Sequence, residues 1–255
     1  MANTVFANKV IEAKAKDLLT TSVNTRSLMA IDNTLAAEAG MTKTIHTYTY
    51  SGAAEELGVG QGNSTRGAVT YVPNDYTVKM VQQAFDYQDE DFMKDNNVVD
   101  MGVKGATQTM TNKMTSDFLA ECEKATIEHS GAMSYDTIVD AIAKLNVENE
   151  AGLFVIVNPE QKAALRKDSD YVAARMGEVV YNGQVGTVAG IPVIVSKAVE
   201  DAYVMHKDAV KLFMKKDVEV EQERDADTRT NSIYLRSAYI VALVDATKIC
   251  KIVEA

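Results

Sequence analysis

Between Thr42 and Phe85 the sequence limits what the rest of the chain can become. TKTIHTYTY alternates Ile45, Thr47 and Thr49 with His46, Tyr48 and Tyr50, the two-residue period and Thr/Tyr content of a strand. SGAAEELGVGQGNSTRG follows, and its Gly52, Gly58, Gly60, Gly62 and Gly67 are five of the 14 glycines. A second β-rich run, AVTYVPNDYTVKMVQQAF, comes next, with Pro73 restricting part of it to an edge or a bend. Together these stretches predict a long hairpin with a flexible, glycine-rich tip. A leg of about 15 residues would extend roughly 50 Å at ~3.3 Å per residue. A compact chain of 255 residues has a radius of gyration of only about 18 Å. Two-stranded ribbons are marginal alone in water, so this one is expected to overhang its own domain and lean on another subunit.

The remaining composition is that of a globular chain, 46% hydrophobic and 24% charged. The formal charge of −10 argues against a general nucleic-acid binder, which needs a basic face to neutralise phosphates. Two cysteines, Cys122 and Cys250, cannot make a disulfide framework and point to a reducing compartment. The opening MANTVFANKVIEAKAKDLL interleaves Lys, Glu and Asp with apolar residues, which leaves no signal-peptide core. The best uncharged apolar run, Ala238–Val244, falls short of the ~18 residues of a membrane span. A soluble intracellular product with no membrane partner is expected.

Outside the hairpin, helix and strand signals mix as α+β. Residues 4–19 carry Val5, Phe6, Val10, Ile11, Leu18 and Leu19 in an amphipathic pattern; from 20 to 41, Ile31 and Leu35 fall one helical turn apart and Gly40 reads as a stop. The strongest helix lies at 98–127, where Val99, Val103, Ala106, Met110, Met114, Phe118, Cys122 and Ala125 recur at three- and four-residue steps. At ~28 residues it would be about 42 Å long. Ser134 reads as the cap of YDTIVDAIAKLN, and LFVIVNPEQKAALRK as a buried strand turning through Asn158 into a helix with Pro159 at its first position. Residues 168–186 read as a polar loop, GTVAGIPVIVSKAV as a strand pair, VEVEQER as an exposed strand, and SIYLRSAYIVALVDATKICKI as closing strand material.

No stretch carries recognisable catalytic, metal or cofactor chemistry. GVGQG lacks the third glycine and the following helix of a dinucleotide fingerprint. His46, His129 and His206 are far apart in sequence, and neither cysteine sits in C-x-x-C. Cys122 lies on the apolar stripe of the long helix and reads as a buried, inert thiol, and Met101, Met110 and Met114 read as core or subunit-contact filler. Two acidic clusters, Asp86/Asp89/Glu90/Asp91/Asp95 and Asp217/Glu219/Glu221/Glu223/Asp225/Asp227, do not match calcium-loop spacing and read as solvated faces.

The order of N-terminal helix, long hairpin, very long helix, compact α/β unit and returning β segment resembles the HK97-fold major capsid proteins of tailed bacteriophages. AIDNTLAAEAGMTKTIHTYTY resembles that family's passage into the extended E-loop; LFVIVNPEQKAALRK with GTVAGIPVIVSKAV resembles its A-domain, and AYVMHKDAVKLFMKKDVEVEQERDADTRTNSIYLRSAYIVALVDATKICKI its return to the P-domain. The resemblance implies an N-terminal arm at 1–41, an E-loop hairpin at 42–86, a P-domain at 87–130 and 216–255 that includes the spine helix, and an A-domain at 131–215. It implies a shell of pentamers and hexamers around phage double-stranded DNA, without sequence-specific binding. Intersubunit contacts would come from Ile45, Tyr48, Tyr50, Gly58, Gly60, Gly62, Arg66 and Tyr71.

Some family members cross-link covalently through an E-loop lysine. Here no lysine lies between Lys43 and Lys79 and the distal loop offers only Arg66, so no isopeptide network is expected. With about 40 residues before the E-loop, assembly is expected to use a separate scaffold protein or none, with a portal as a further partner. It would take place in the bacterial host cytoplasm and end in the virion. Part of the acidic surplus is expected to face the lumen, where it would repel DNA phosphates. An encapsulin-type nanocompartment, which shares the fold, and an unrelated soluble enzyme are the alternatives.

Overall fold

The computed structural model describes residues 11, 25–37, 39–169 and 186–254. Strand β1 (Ala30–Asp32) and the single turn α1 (Thr34–Ala37) divide the segment in which Ile31 and Leu35 suggested one helix. The Asp32 carboxylate causes the break: it accepts the Thr34 N–H at 2.9 Å and the Thr34 hydroxyl at 2.7 Å, a local turn that competes with a longer helix. Ile31 is therefore 45% exposed in a strand, while Leu35 is buried. Of the expected helix over 4–19 only Ile11 lies among the described residues, helical and buried against Val99, Val103 and Met110.

The hairpin is made of β2 (Thr42–Ser51) and β3 (Ala68–Thr77), paired antiparallel from Thr42–Thr77 to Ser51–Ala68. Its legs are 10 residues each, about 34 Å at ~3.4 Å per residue, and not the expected 15. The second β-rich run breaks at Val78, which is buried with Leu35, Phe213, Ala238 and Ala242 and whose N–H donates to Met41 O at 2.7 Å. Beyond it, β4 (Lys79–Gln88) leaves the hairpin and pairs with a different strand.

After the short α2 (Asp89–Lys94) comes α3 (Val98–Cys122), 25 residues and about 37 Å long. It stops before the expected end, because Ile127 already belongs to β5 (Ile127–Ser130). Its buried side chains form the expected stripe of Val99, Val103, Ala106, Met110, Met114, Phe118 and Cys122, with a second stripe of Thr107, Thr111 and Leu119 beside it. Helix α4 (Tyr135–Leu145) begins as expected, with the Ser134 hydroxyl accepting the Thr137 N–H at 3.1 Å. Strand β6 (Leu153–Val157) is buried throughout and runs into α5 (Pro159–Lys167). There Asn158 accepts from Gln161 N–H at 2.7 Å and Gln161 accepts from Asn158 N–H at 2.9 Å, a reciprocal cap. The expected loop over 168–186 lies largely outside the described residues. Strands β7 (Thr187–Val188) and β8 (Ile191–Val195) pair through Ala189 and Gly190, both left-handed at φ 48° and 82°, the geometry of a tight hairpin turn.

Strands β9 (Ala202–His206), β10 (Val210–Asp225), β11 (Thr230–Leu243) and β12 (Ile249–Val253) complete the chain. One sheet has the order β1-β10-β11-β4, with β1 parallel to β10 and the others antiparallel; a second has the order β5-β12-β9-β6-β8-β7. Helix α3 serves both. Its first half packs on Tyr87, Val218, Val220, Ile233 and Leu235 of the four-stranded sheet; its second half enters the largest core, with Phe118 and Cys122 among Val155, Val204 and Ile252 of the six-stranded sheet. Among the described residues no helix is long and apolar enough to cross a membrane.

Phe118 is fully buried at this junction. Phe118→Ala should lower stability to urea unfolding by about 3–5 kcal/mol, the usual cost of emptying a buried aromatic site.

Candidate functional site: the β2–β3 hairpin

Directly opposed residues of an antiparallel pair share a face, and the register therefore sorts the hairpin. One face carries His46 with Pro73, Tyr48 with Tyr71 and Tyr50 with Val69; the other carries Lys43 with Tyr76, Ile45 with Asn74 and Thr47 with Val72. At its base the second face belongs to the chain's own interior. The Tyr76 ring stacks on Phe213 at 5.3 Å, and Ile45 is half-buried beside it. The first face is open: Tyr48, Tyr50, Val69 and Tyr71 are 67%, 68%, 63% and 62% exposed. Tyr71 lies 5.3 Å from the His46 ring and 6.3 Å from Tyr48, centroid to centroid, the spacing of aromatic pairs. Of the expected contact residues, Tyr48, Tyr50 and Tyr71 are brought together here, and Ile45 lies on the opposite side.

Gly58, Gly60, Gly62 and Arg66 lie in the tip, all exposed. Gln61 N–H donates to Gly58 O at 3.1 Å, and Gly60 between them is left-handed at φ 82°, a conformation glycine adopts without strain. Where the tip closes, a side chain at Gly52 or Gly67 would collide with the Tyr50 ring. Glycine turns do not hold the tip alone. The Glu55 carboxylate accepts from Ser64 N–H and Ser64 Oγ, both at 2.7 Å, from Thr65 N–H at 2.9 Å and from the Thr65 hydroxyl. Glu55 was not singled out in the sequence, because neither periodicity nor a motif marks a carboxylate whose partners lie nine and ten residues away.

The two acidic clusters meet at one end of the four-stranded sheet and are interleaved with arginines. Asp89 pairs with Arg224 at 2.7 Å and accepts from Asn231 Nδ2 at 2.7 Å; Glu90 pairs with Arg229 at 2.8 Å and Glu221 with Arg236 at 2.7 Å. The hydrogen bond from Arg224 holds the Asp89 carboxyl below the usual carboxylate range. Both cysteines are buried, and burial pushes the Cys122 thiol up, away from the thiolate a nucleophile needs. His46, His129 and His206 lie in β2, β5 and β9, and among the described residues no group of His, Cys, Asp and Glu is arranged to hold a metal ion.

The hydrogen bonds from Thr65 and Ser64 lower the Glu55 pKa from its ordinary 4.5 to about 2. A carboxylate depressed in the folded state stabilises it fully above the unfolded value and loses that contribution as pH falls through the folded one. The Ser64 and Thr65 amides should thus stay protected from hydrogen exchange above about pH 4.5 and lose protection as pH falls through about 2.

The model of a phage capsid protein family matches residues 71–252. The major capsid protein of Staphylococcus phage phiMR11 is 25% identical over 236 residues, covering 89% of this chain and 86% of that protein. Among solved structures, that of Mycobacterium phage Che8 superposes with a TM-score of 0.69 at 19% identity, covering 91% of this chain and 92% of that one. The mature capsid of bacteriophage PhiM1 gives a TM-score of 0.73 at 11% identity, covering 90% and 86%. With its family match over most of its length and the α+β architecture of these shells, the chain belongs to the phage capsid proteins and has the HK97 fold.

Proposed function

We propose that this chain is a major capsid protein whose copies assemble into the pentamers and hexamers of an icosahedral phage head. The reading is carried by the tyrosine-rich hairpin face. Large contiguous exposed apolar surface marks interaction sites on soluble proteins, and here Tyr48, Tyr50, Val69 and Tyr71 expose one on a ribbon anchored only at its base. Its occupant is a second copy of the chain. Residues 1–41 act as an arm, the β2–β3 hairpin within 42–86 as the E-loop, 87–130 and 216–255 as the P-domain and 131–215 as the A-domain. The role is mechanical, with no reaction catalysed. Assembly takes place in the host cytoplasm, with a portal and a separate scaffold as partners, and the product encloses double-stranded DNA without reading its sequence. Carboxylates at the acidic end of the four-stranded sheet face the lumen, where like charge lets the duplex slide.

Deleting residues 52–67, or combining Tyr48→Ser with Tyr71→Ser, should leave a folded subunit that makes no closed particles in negative-stain microscopy. Normal shells from both variants would defeat the reading. Assembled shells should also run as single chains in hot SDS, because the tip supplies Arg66 and no lysine; a covalent ladder on the gel would contradict this.

A further inference from the structure

From His46 to Pro73 every residue is exposed except Glu55, which is half-buried by the groups it holds. No residue of that stretch belongs to any of the three cores, so the rest of the fold gives the tip no apolar support. One side chain instead ties its two arms together. The Glu55 carboxylate takes two backbone N–H groups and two hydroxyls from Ser64 and Thr65 on the returning arm. An ionised carboxylate suits that set of donors: it only accepts, and it offers about four lone-pair sites. Leu57 and Val59 follow it along the outgoing arm, 44% and wholly exposed, and Arg66 directly follows Thr65 on the other.

We propose that Glu55 is a positioning residue for assembly, holding the loop 52–67 in the shape that a second copy of the chain receives. The inference rests on the shell reading above and adds the group that prepares the contact. A loop that is free in the subunit loses its conformational entropy when it docks. A loop already held has lost it on folding, so docking is favoured by the difference. The clamp also sets where Leu57, Val59 and Arg66 stand relative to the tyrosine face, because both arms of the tip are fixed at one point.

Three full-length chains test this: wild type, Glu55→Gln and Thr65→Ala, each as dissociated subunits and under assembly conditions. Glu55→Gln keeps the shape but turns an amide toward the donors. It should melt like wild type, lose hydrogen-exchange protection at the Ser64 and Thr65 amides, and raise the threshold concentration for shells by about tenfold in light scattering. Thr65→Ala keeps the charge and both backbone donors, and should raise the threshold less. A wild-type threshold in Glu55→Gln despite lost protection would overturn the proposal. So would Thr65→Ala assembling like wild type while Glu55→Gln fails, which would assign the effect to charge alone. If wild type itself forms no shells, the shell reading falls and the positioning role with it, while the clamp would still be visible in the exchange data.

Discussion

Anchorage at Val78 decides what the hairpin can do. A two-stranded ribbon is marginal in water on its own, and this one is held by burial at one end only. Val78, Leu35, Phe213, Ala238 and Ala242 form a small core, with Ile45 and Tyr76 packed against it. Phe213 lies in β10, which pairs along its length with β11, and the opposite side of that sheet carries α3 through Val218, Val220, Ile233 and Leu235. The ribbon's direction is therefore fixed by the same sheet that holds the long helix. A fully buried phenylalanine is worth about 1.5–3 kcal/mol relative to exposure, so a few such residues outweigh the ribbon's own weakness. The tyrosine face gains none of that burial within one chain.

Where local chemistry decides the structure, the sequence was readable. Ser134 and Asn158 stand at helix starts because their side-chain oxygens satisfy amides that the first turn leaves free, and Pro159 follows because its fixed φ suits the first turn and it has no amide there to leave unpaired. The stripe of α3 was readable for the same kind of reason: its spacing is local. The break at Val78 was not: the inward-facing set slips by one residue there, from Asn74, Tyr76 and Val78 to Val81, Phe85 and Tyr87, inside a run that is β-rich on both sides. The two faces of the hairpin posed the same difficulty. Alternation separated Ile45 from Tyr48 and Tyr50, but which face is buried is set by Phe213, far along the chain. Ile31 and Leu35 misled because one turn of helical spacing arises by chance, and the Asp32 turn overrode it.

The two acidic stretches of the sequence are a single region in the fold. Eleven carboxylates in two stretches looked like two solvated faces, and the β4-β11-β10 pairing makes them one region. Arg224, Arg229 and Arg236 enter it and pair with Asp89, Glu90 and Glu221. Exposed pairs of this kind contribute about 0–1 kcal/mol each. Repulsion is limited by the strand order: β11, which carries Arg236 and no carboxylate, lies between acid-bearing β4 and β10, so none of these carboxylates stands directly opposite another, a placement that would destabilise a sheet. The arginines let an acidic region form on paired strands while leaving a net negative surface.

A shell places a particular demand on such a chain. Each contact must be weak enough to correct during growth, yet the closed particle must persist, which follows when many modest contacts act together. A weak contact tolerates little waste. If every docking event had to order a free loop at about 1–2 kcal/mol per residue, a patch of a few tyrosines and valines would not cover the cost. Holding the tip beforehand, through Glu55 at one end and the Val78 core at the other, removes most of that demand. What remains for the interface is the transfer of already placed apolar groups out of water, which is additive over copies and needs no strong individual bond.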